Sequence, residues 1–351
     1  MPRTLHLLTS LGIVLFVTTV AGAKPSKYLT KDDDWFATDE AKAIAGHILS
    51  HQSDLGGWPK NKDTTVAFSG ERKGIKPTFD NGATTDELRF LARMVNATKT
   101  AKYRTAFDRG LEYLLTAQYA NGGWPQYAPP PEKSYHRHIT FNDETMVRLM
   151  IFLREVATHD RYQFVAADKR NQCTAAFDQG VECILKCQVK VNDKLTAWCA
   201  QHDEKDFAPR LGRSYELPSL SGSESVDITR LLMSIEKPSP EVIRAVEAAA
   251  AWFESAKLTG IRVDLVPDAT TQKKNKVVVA DPKAPPLWAR FYDLKTNKPL
   301  FSGRDGVAKA NLADIEAERR NGYAWYGTWP QKLLAEEYPA WQKRVASGWK
   351  K

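Results

Sequence analysis

Gln52-x-x-x-Gly56-Gly57-Trp58-Pro59 recurs as Gln118-x-x-x-Gly122-Gly123-Trp124-Pro125, 66 residues further along. After each copy a loop leads to a second matched pair, Phe79-Asp80-Asn81 and Phe141-Asn142-Asp143, 62 residues apart. Each pair opens a long amphipathic segment, ending FLARMV in one case and FLREV in the other. Glycines end a helix and a following proline prevents its return. The unit therefore reads helix, turn, loop, helix. A worn third copy keeps Gln188 and Trp198, and SLSGSESVDITRLLMSI supplies its second helix. A hairpin of this size cannot bury its apolar face alone, so neighbouring copies must cover it. Three such pairs with long loops predict an (α/α)3 toroid, an incomplete α/α barrel, rather than an open solenoid. The loops gather on one face and carry function.

The local patterns agree. Ala41, Ile44, Ala45, Ile48 and Leu49 recur at helical spacing. Thr84-x-x-Glu87 reads as a capping box before Leu88, Leu91, Ala92 and Val95, and Ser221-x-x-Glu224 as another. Helices are predicted over about 104–118 and 239–257, with short strands at 261–265 and 277–279 and a short helix over 308–320. Gly322-Tyr-Ala-Trp-Tyr-Gly-Thr-Trp-Pro330 repeats the Trp-Pro ending. No linker divides residues 24–351, which read as one domain.

Residues 1–23 are set apart. Arg3, an apolar run over 5–20 and Ala21-Gly22-Ala23 form the pattern of a cleaved signal peptide. The run is short for a membrane span. The expectation is a secreted or periplasmic monomer with no stable membrane anchor after cleavage. Cys173, Cys183, Cys187 and Cys199 are even in number, and export permits disulfides. A local bridge or bridges are expected. A zinc site lacks a Cys-x-x-Cys pair.

The formal net charge of the 351-residue chain is +8. That favours polyanions. An export signal argues against nucleic acid and for an acidic polysaccharide. Asp80-Asn81 and Asn142-Asp143 sit at equivalent helix starts. Each residue alone is explained as a helix cap. Two convergent pairs offer the oxygen ligands that calcium takes. Lys60, Arg210, Arg213, Arg290 and Arg304 lie in loops rich in glycine, proline and aromatics, and arginine grips a carboxylate with two parallel hydrogen bonds. His136 and His138 read as structural or substrate-edge groups. No Gly-x-Ser-x-Gly elbow, P-loop or His-Glu-x-x-His is present.

GGWPKN, TFDNGATTDELRFL, GGWPQYAP with HITFNDETM, RSYELPSLSGSES, WARFYDL with SGRDG, and GYAWYGTWP follow in this order. Together they resemble the family-ten pectate lyases over nearly all of residues 24–351. The resemblance implies an (α/α)3 toroid and endo-type, calcium-dependent β-elimination on polygalacturonate, leaving a 4,5-unsaturated sugar end. It implies Arg213 as catalytic base, and Asp80, Asn81 and Asp143 as calcium-associated residues. Arg290 and Arg304 then match arginines that bind substrate carboxylates, with Lys60 and Tyr215 as further substrate contacts. Gly82 stands where some relatives carry a third acidic residue, and Gly212 where a larger residue precedes the base. Arginine is a poor base, with a pKa above about 12. Neighbouring cations are expected to destabilise its charged form.

Other readings remain beside this one. Gln-x-x-x-Gly-x-Trp also marks helix ends in triterpene cyclases, but the acidic run Asp32-Asp33-Asp34 lies outside the repeats. A glycoside hydrolase needs two carboxylates across a sugar ring. A non-catalytic pectin-binding module would hold the polymer and cleave nothing.

Overall fold

The structure is a computed structural model that describes residues 24–267 and 274–348. The core of the fold is a set of packed helices: α1 (Asp39–Ser50), α2 (Thr85–Thr98), α3 (Ala101–Thr116), α4 (Thr145–Thr158), α5 (Ala167–Cys187), α6 (Glu224–Met233) and α7 (Pro240–Ser255). α2, α4 and α6 pack on one another in sequence and form the inner layer. α1, α3, α5 and α7 form the outer layer, each packing on the next by alternate steps. This is the expected α/α toroid. Two short helices complete the described chain, α8 (Ala317–Gly322) and α9 (Tyr338–Ala346).

The repeated glutamine explains the spacing of the outer layer. Gln52 Nε2 donates to Gly56 O at 2.7 Å and to Ala106 O of α3 at 2.8 Å. Gln118 Nε2 donates to Gly122 O and to Ala176 O of α5, at 3.0 and 2.9 Å. Gln188 Nε2 donates to Thr196 O and to Ala245 O of α7, both at 2.9 Å. Each glutamine thus ties its own turn to the next outer helix. Gly56 and Gly122 adopt positive φ, and a Cβ there would lie 2.4 and 2.1 Å from the carbonyl oxygens of Arg109 and Gln179. Only glycine tolerates both demands.

The tryptophans finish the outer helices. The indole N–H of Trp58 caps Ile48 O, that of Trp124 caps Leu114 O, and that of Trp198 caps Ile184 O, at 2.7–3.0 Å. These carbonyls lie in last turns, where helical partners run out. A fourth copy is Trp288, which caps Phe253 O at 2.8 Å. The sequence repeat at Trp329-Pro330 is therefore not the structural fourth copy.

Loop strands close the same face. Thr78 pairs with Tyr127, Ile139–Thr140 with Gln201–His202, and Leu220–Ser221 with Phe291–Tyr292. In each case the strand leading into an inner helix pairs with the strand after the next tryptophan. That rule brings the starts of α2, α4 and α6 beside loops from later in the chain.

The two expected strands are present as Ile261–Pro267 and Lys274–Ala280, longer than the spans read from sequence, and they pair antiparallel. The helix expected over 308–320 is confined to α8, because residues 308–309 pair as a strand with Phe301–Ser302. The expected disulfides are absent among the described residues. All four cysteines are free, buried thiols. Burial, then the neighbouring Cys183, pushes the Cys187 thiol well up. The even count reflected core packing of small apolar side chains. The expected signal peptide lies outside the described residues. No helix among them is long and apolar enough to cross a membrane.

Candidate active site

Two single-turn helices, Asp80–Gly82 and Asn142–Glu144, pack together at the starts of α2 and α4. Both contain left-handed residues, Asn81 (φ 56°) and Asp143 (φ 51°). Asn81 is thus the conformational counterpart of Asp143, and Asp80 that of Asn142. Asp80 and Asn142 point inward and are buried, at 1% and 4% exposure. Asp143 is half-buried and Asn81 is exposed, its backbone carbonyl accepting from Lys24 Nζ at 3.1 Å.

The oxygens here are under-used. Asp80 Oδ2 accepts from Lys60 Nζ, while Oδ1 has no hydrogen-bond partner among the described residues. Asn142 Nδ2 donates to Asp143 Oδ2 at 2.7 Å, and Asn142 Oδ1 is also without a partner there. A buried polar atom left unpaired is costly. Burial, then the carboxylates of Asp80 and Glu224, raises the Asp143 pKa, against the pull of Arg290 and Arg213. An all-oxygen, acid-rich set with two orphaned buried acceptors fits a hard divalent cation such as calcium. Asn142 was not among the metal residues expected from sequence, although the Phe-Asn-Asp repeat contained it.

Glu224 begins α6 and is the third acid of the group. Its carboxylate accepts from Ser221 Oγ and from Arg290 Nη2. Its own N–H donates to Ser221 Oγ at 3.0 Å. The capping motif is present in modified form, and it conceals a second role as the partner of Arg290. Arg290 is held by Gly222 N–H donating to its carbonyl at 2.8 Å. Its guanidinium carbon lies 4.9 Å from the Tyr323 ring centroid, and its Nε lacks a partner among the described residues.

Arg213 stands on the loop between Gln201–His202 and Leu220–Ser221. Its guanidinium donates to Glu216 Oε1, and its backbone N–H donates to Glu216 Oε2 at 2.9 Å. Tyr323 OH donates to the same Oε1 at 2.7 Å. Burial acts against the Arg213 charge, but Glu216 outweighs it and raises the pKa above the ordinary arginine value. The expectation that neighbouring cations destabilise this charge is thus reversed, because the nearest charge is a carboxylate. Gly212 also acquires a reason. A Cβ there would lie 2.7 Å from Glu216 Oε2 and displace the group that holds Arg213.

The remaining expected residues sit further out. Tyr215 is buried, with the guanidinium carbons of Arg319, Arg213 and Arg304 at 4.7, 5.2 and 5.9 Å from its ring centroid. Its ring is a platform for arginines. Arg304 is exposed and forms a double hydrogen bond with Glu318, at 2.9 and 3.0 Å. Both it and Arg213 lie against the Tyr215 ring. Arg210 pairs with Asp203 and Asp206, away from Glu216. His136 packs against Tyr135 and Tyr127, and its pKa is lowered by burial and then by Lys60. His138 clusters with Asp203 and Glu204. Those two carboxylates are already matched by Arg210 and Arg137, so the cluster holds together as ion pairs. Glu216 and Tyr323 were missed from sequence.

Residues 52–334 match the family model for pectic acid lyases. The chain belongs to that family. Two solved structures of a family 10 polysaccharide lyase from Cellvibrio cellulosa are similar to this pectate lyase, each at 33% identity and a TM-score of 0.76. One is an Asp-to-Ala mutant in complex with trigalacturonic acid, and the match covers 90% of this chain and 96% of that one. The other match covers 95% and 98%. Among curated proteins, none matches the chain. The mainly helical toroid and the order of the loop motifs agree with this family.

Proposed function

We propose that this pectate lyase cleaves polygalacturonate by calcium-assisted β-elimination, with Arg213 as the base. The observation that carries the reading is one acid–arginine centre: Asp143 feels Asp80, Glu224, Arg290 and Arg213, Arg290 bonds Glu224, and Asp80 and Asn142 each keep an orphaned buried oxygen. Two guanidiniums suit the carboxylates of a uronate chain. Asp80, Asn142 and Asp143 would hold calcium, with Asn81 at the outer lip and Glu224 behind. When bound, calcium would help neutralise a uronate carboxylate and so acidify the adjacent C5–H.

The protein's own groups account for the rest. Arg290, fixed by Glu224 and Tyr323, binds the same carboxylate or its neighbour and stabilises the enolate-like charge. Arg213 accepts the C5 proton. The C5–H electron pair becomes the C4=C5 double bond, and the C4–O pair leaves with the oxygen, which is protonated from solvent. Glu216 keeps Arg213 protonated at rest, so this role requires a rise in activity towards alkaline pH. Lys60 and, through Tyr215, Arg304 extend the cationic surface.

The deciding experiment follows unsaturated product by ultraviolet absorbance on polygalacturonate. Chelation should abolish the signal and added calcium should restore it. Activity that survives exhaustive chelation would refute the metal role, and binding without product would leave only a pectin-binding protein. The reading also places the enzyme outside the cytoplasm, with residues 1–23 removed. A mature chain that begins before residue 24 would contradict that.

A further inference from the structure

Beyond Lys60 the surface continues into a trough of ≈340 Å³ whose walls include Pro59, Lys62, Phe68, Ile75, Lys76 and Tyr127. Lys60 lines the trough and links it to the acid–arginine centre through Asp80. Lys60 bonds Asp80 on one side and lies 5.5 Å from the Tyr127 ring centroid on the other. A water's share of liquid volume is about 30 Å³, so the trough displaces on the order of ten waters, room enough for a sugar ring.

Its outer wall is fixed. Four contacts pin the loop that follows Lys62 to the end of α1. His47 Nδ1 meets Thr65 O at 2.8 Å, and His51 Nε2 meets Val66 O at 2.9 Å. Phe68 N–H donates to Ser50 Oγ at 3.1 Å, and Arg72 Nη2 donates to Leu49 O at 2.9 Å. The His51 ring also packs 5.0 Å from Phe68. Phe68 and Ile75 are partly exposed and give the trough an apolar side.

Charge distinguishes this trough from the arginines of the centre. Lys60, Arg213, Arg290, Arg304 and Arg137 are each matched by a carboxylate. Lys62 and Lys76 are exposed, and neither forms a salt bridge among the described residues. Asp63, the acid next to Lys62, has Oδ1 occupied by the Thr65 N–H and hydroxyl. Two unmatched ammonium groups beside an apolar side suit a sugar with one apolar C–H face and a carboxylate at its edge.

We infer that this trough is a distal subsite for one unesterified uronate unit of the chain being cleaved, with Lys62 and Lys76 holding its carboxylate. The inference rests on the polygalacturonate reading above. It adds a length dependence, because only a substrate long enough to leave the centre past Lys60 reaches the trough.

The test is a Lys62→Ala/Lys76→Ala double variant, assayed on polygalacturonate and on the shortest oligogalacturonate the wild type cleaves. The ratio of kcat/KM on polymer to that on the short oligomer should fall roughly tenfold, the size that two exposed charge contacts can jointly supply. A Lys62→Arg/Lys76→Arg variant should restore most of it. An unchanged ratio overturns the subsite. Product release by the wild type tests the lyase reading separately. If the wild type releases none, that reading falls, and affinity electrophoresis in polygalacturonate gels judges the trough instead. Retardation lost in the Ala variant supports it, and retardation equal to wild type overturns it.

Discussion

Arg213 and Glu216 form a closed pair: the carboxylate takes the guanidinium on one oxygen and the arginine's own backbone N–H on the other. Glu216 is 2% exposed, and burial alone would raise its pKa, but Arg213 holds it below the usual carboxylate value. The same contact raises the pKa of Arg213. One residue thus orients the proposed base and resists its deprotonation. Arg213→Ala is expected to lower kcat by roughly 10²–10⁴-fold, the usual contribution of a general base. Polymer binding should persist, as gel retardation would show. Substantial retained turnover would remove Arg213 from the chemistry.

Glu216→Gln keeps an acceptor beside the guanidinium and removes the charge. With the carboxylate gone, the Arg213 cation loses its main support. The alkaline rise of kcat/KM should move to lower pH, measured at saturating calcium. A profile that only scales down, with its midpoint unmoved, would show that Glu216 positions Arg213 without setting its proton affinity.

Asn142 gives a second expectation. Its Oδ1 is buried without a partner among the described residues, as is Asp80 Oδ1 on the neighbouring helix start. Asn142→Ala should raise the calcium concentration for half-maximal activity by about tenfold or more, since a coordinating oxygen is removed. Calorimetric titration of calcium into the two proteins would measure it directly. Equal affinities would mean that the orphaned oxygen faces water or substrate instead.

The fold was legible because its signal is local and repeated. Gln52, Gln118 and Gln188 each bond their own turn, and the spacing is visible in one strand of text. The fourth turn was not legible, since Trp288 keeps the indole cap and lacks the glycine pair and proline. The site was legible only in part. Asp80, Asp143, Arg213 and Arg290 come with motifs that resemble a family. Tyr323 reaches Glu216 across 107 residues, and no local pattern announces that contact. The inward side chain of each Phe-Asp-Asn or Phe-Asn-Asp triplet is set by the left-handed turn at its third residue, which composition does not reveal. Glu224 was hidden by being a plausible cap.

His202 sets a pH dependence of stability. It is fully buried, with Cys199 N–H donating to Nε2 at 3.0 Å and Nδ1 against Phe207 O at 2.7 Å. A proton on Nε2 would face another donor. Burial lowers its pKa from 6.5 to about 4, against the pull of the Phe207 carbonyl. A depressed folded pKa means the unfolded chain binds the proton first, so stability is lost as pH falls from about 6.5 towards 4. The loss is of order 3 kcal/mol from this one group. Urea unfolding of wild type and His202→Gln at pH 7 and pH 4 isolates it. The wild type should lose that much more than the variant, and parallel losses would refute the assignment.

Gln188 tests the architecture without touching the site. It is 6% exposed, and its amide nitrogen bonds Thr196 O in its own turn and Ala245 O in α7. Gln188→Ala leaves two carbonyls without this donor and opens a small cavity. Two buried hydrogen bonds at about 0.5–1.5 kcal/mol each, with the cavity added, give an expected loss of roughly 2–4 kcal/mol. Chemical unfolding should show a lower midpoint with an unchanged slope. Because Ala245 lies on the outer layer, calcium affinity and kcat of the folded variant should match wild type. A stability loss below about 0.5 kcal/mol would mean that water replaces the amide, and that the outer helices are spaced by apolar packing rather than by the repeated glutamine.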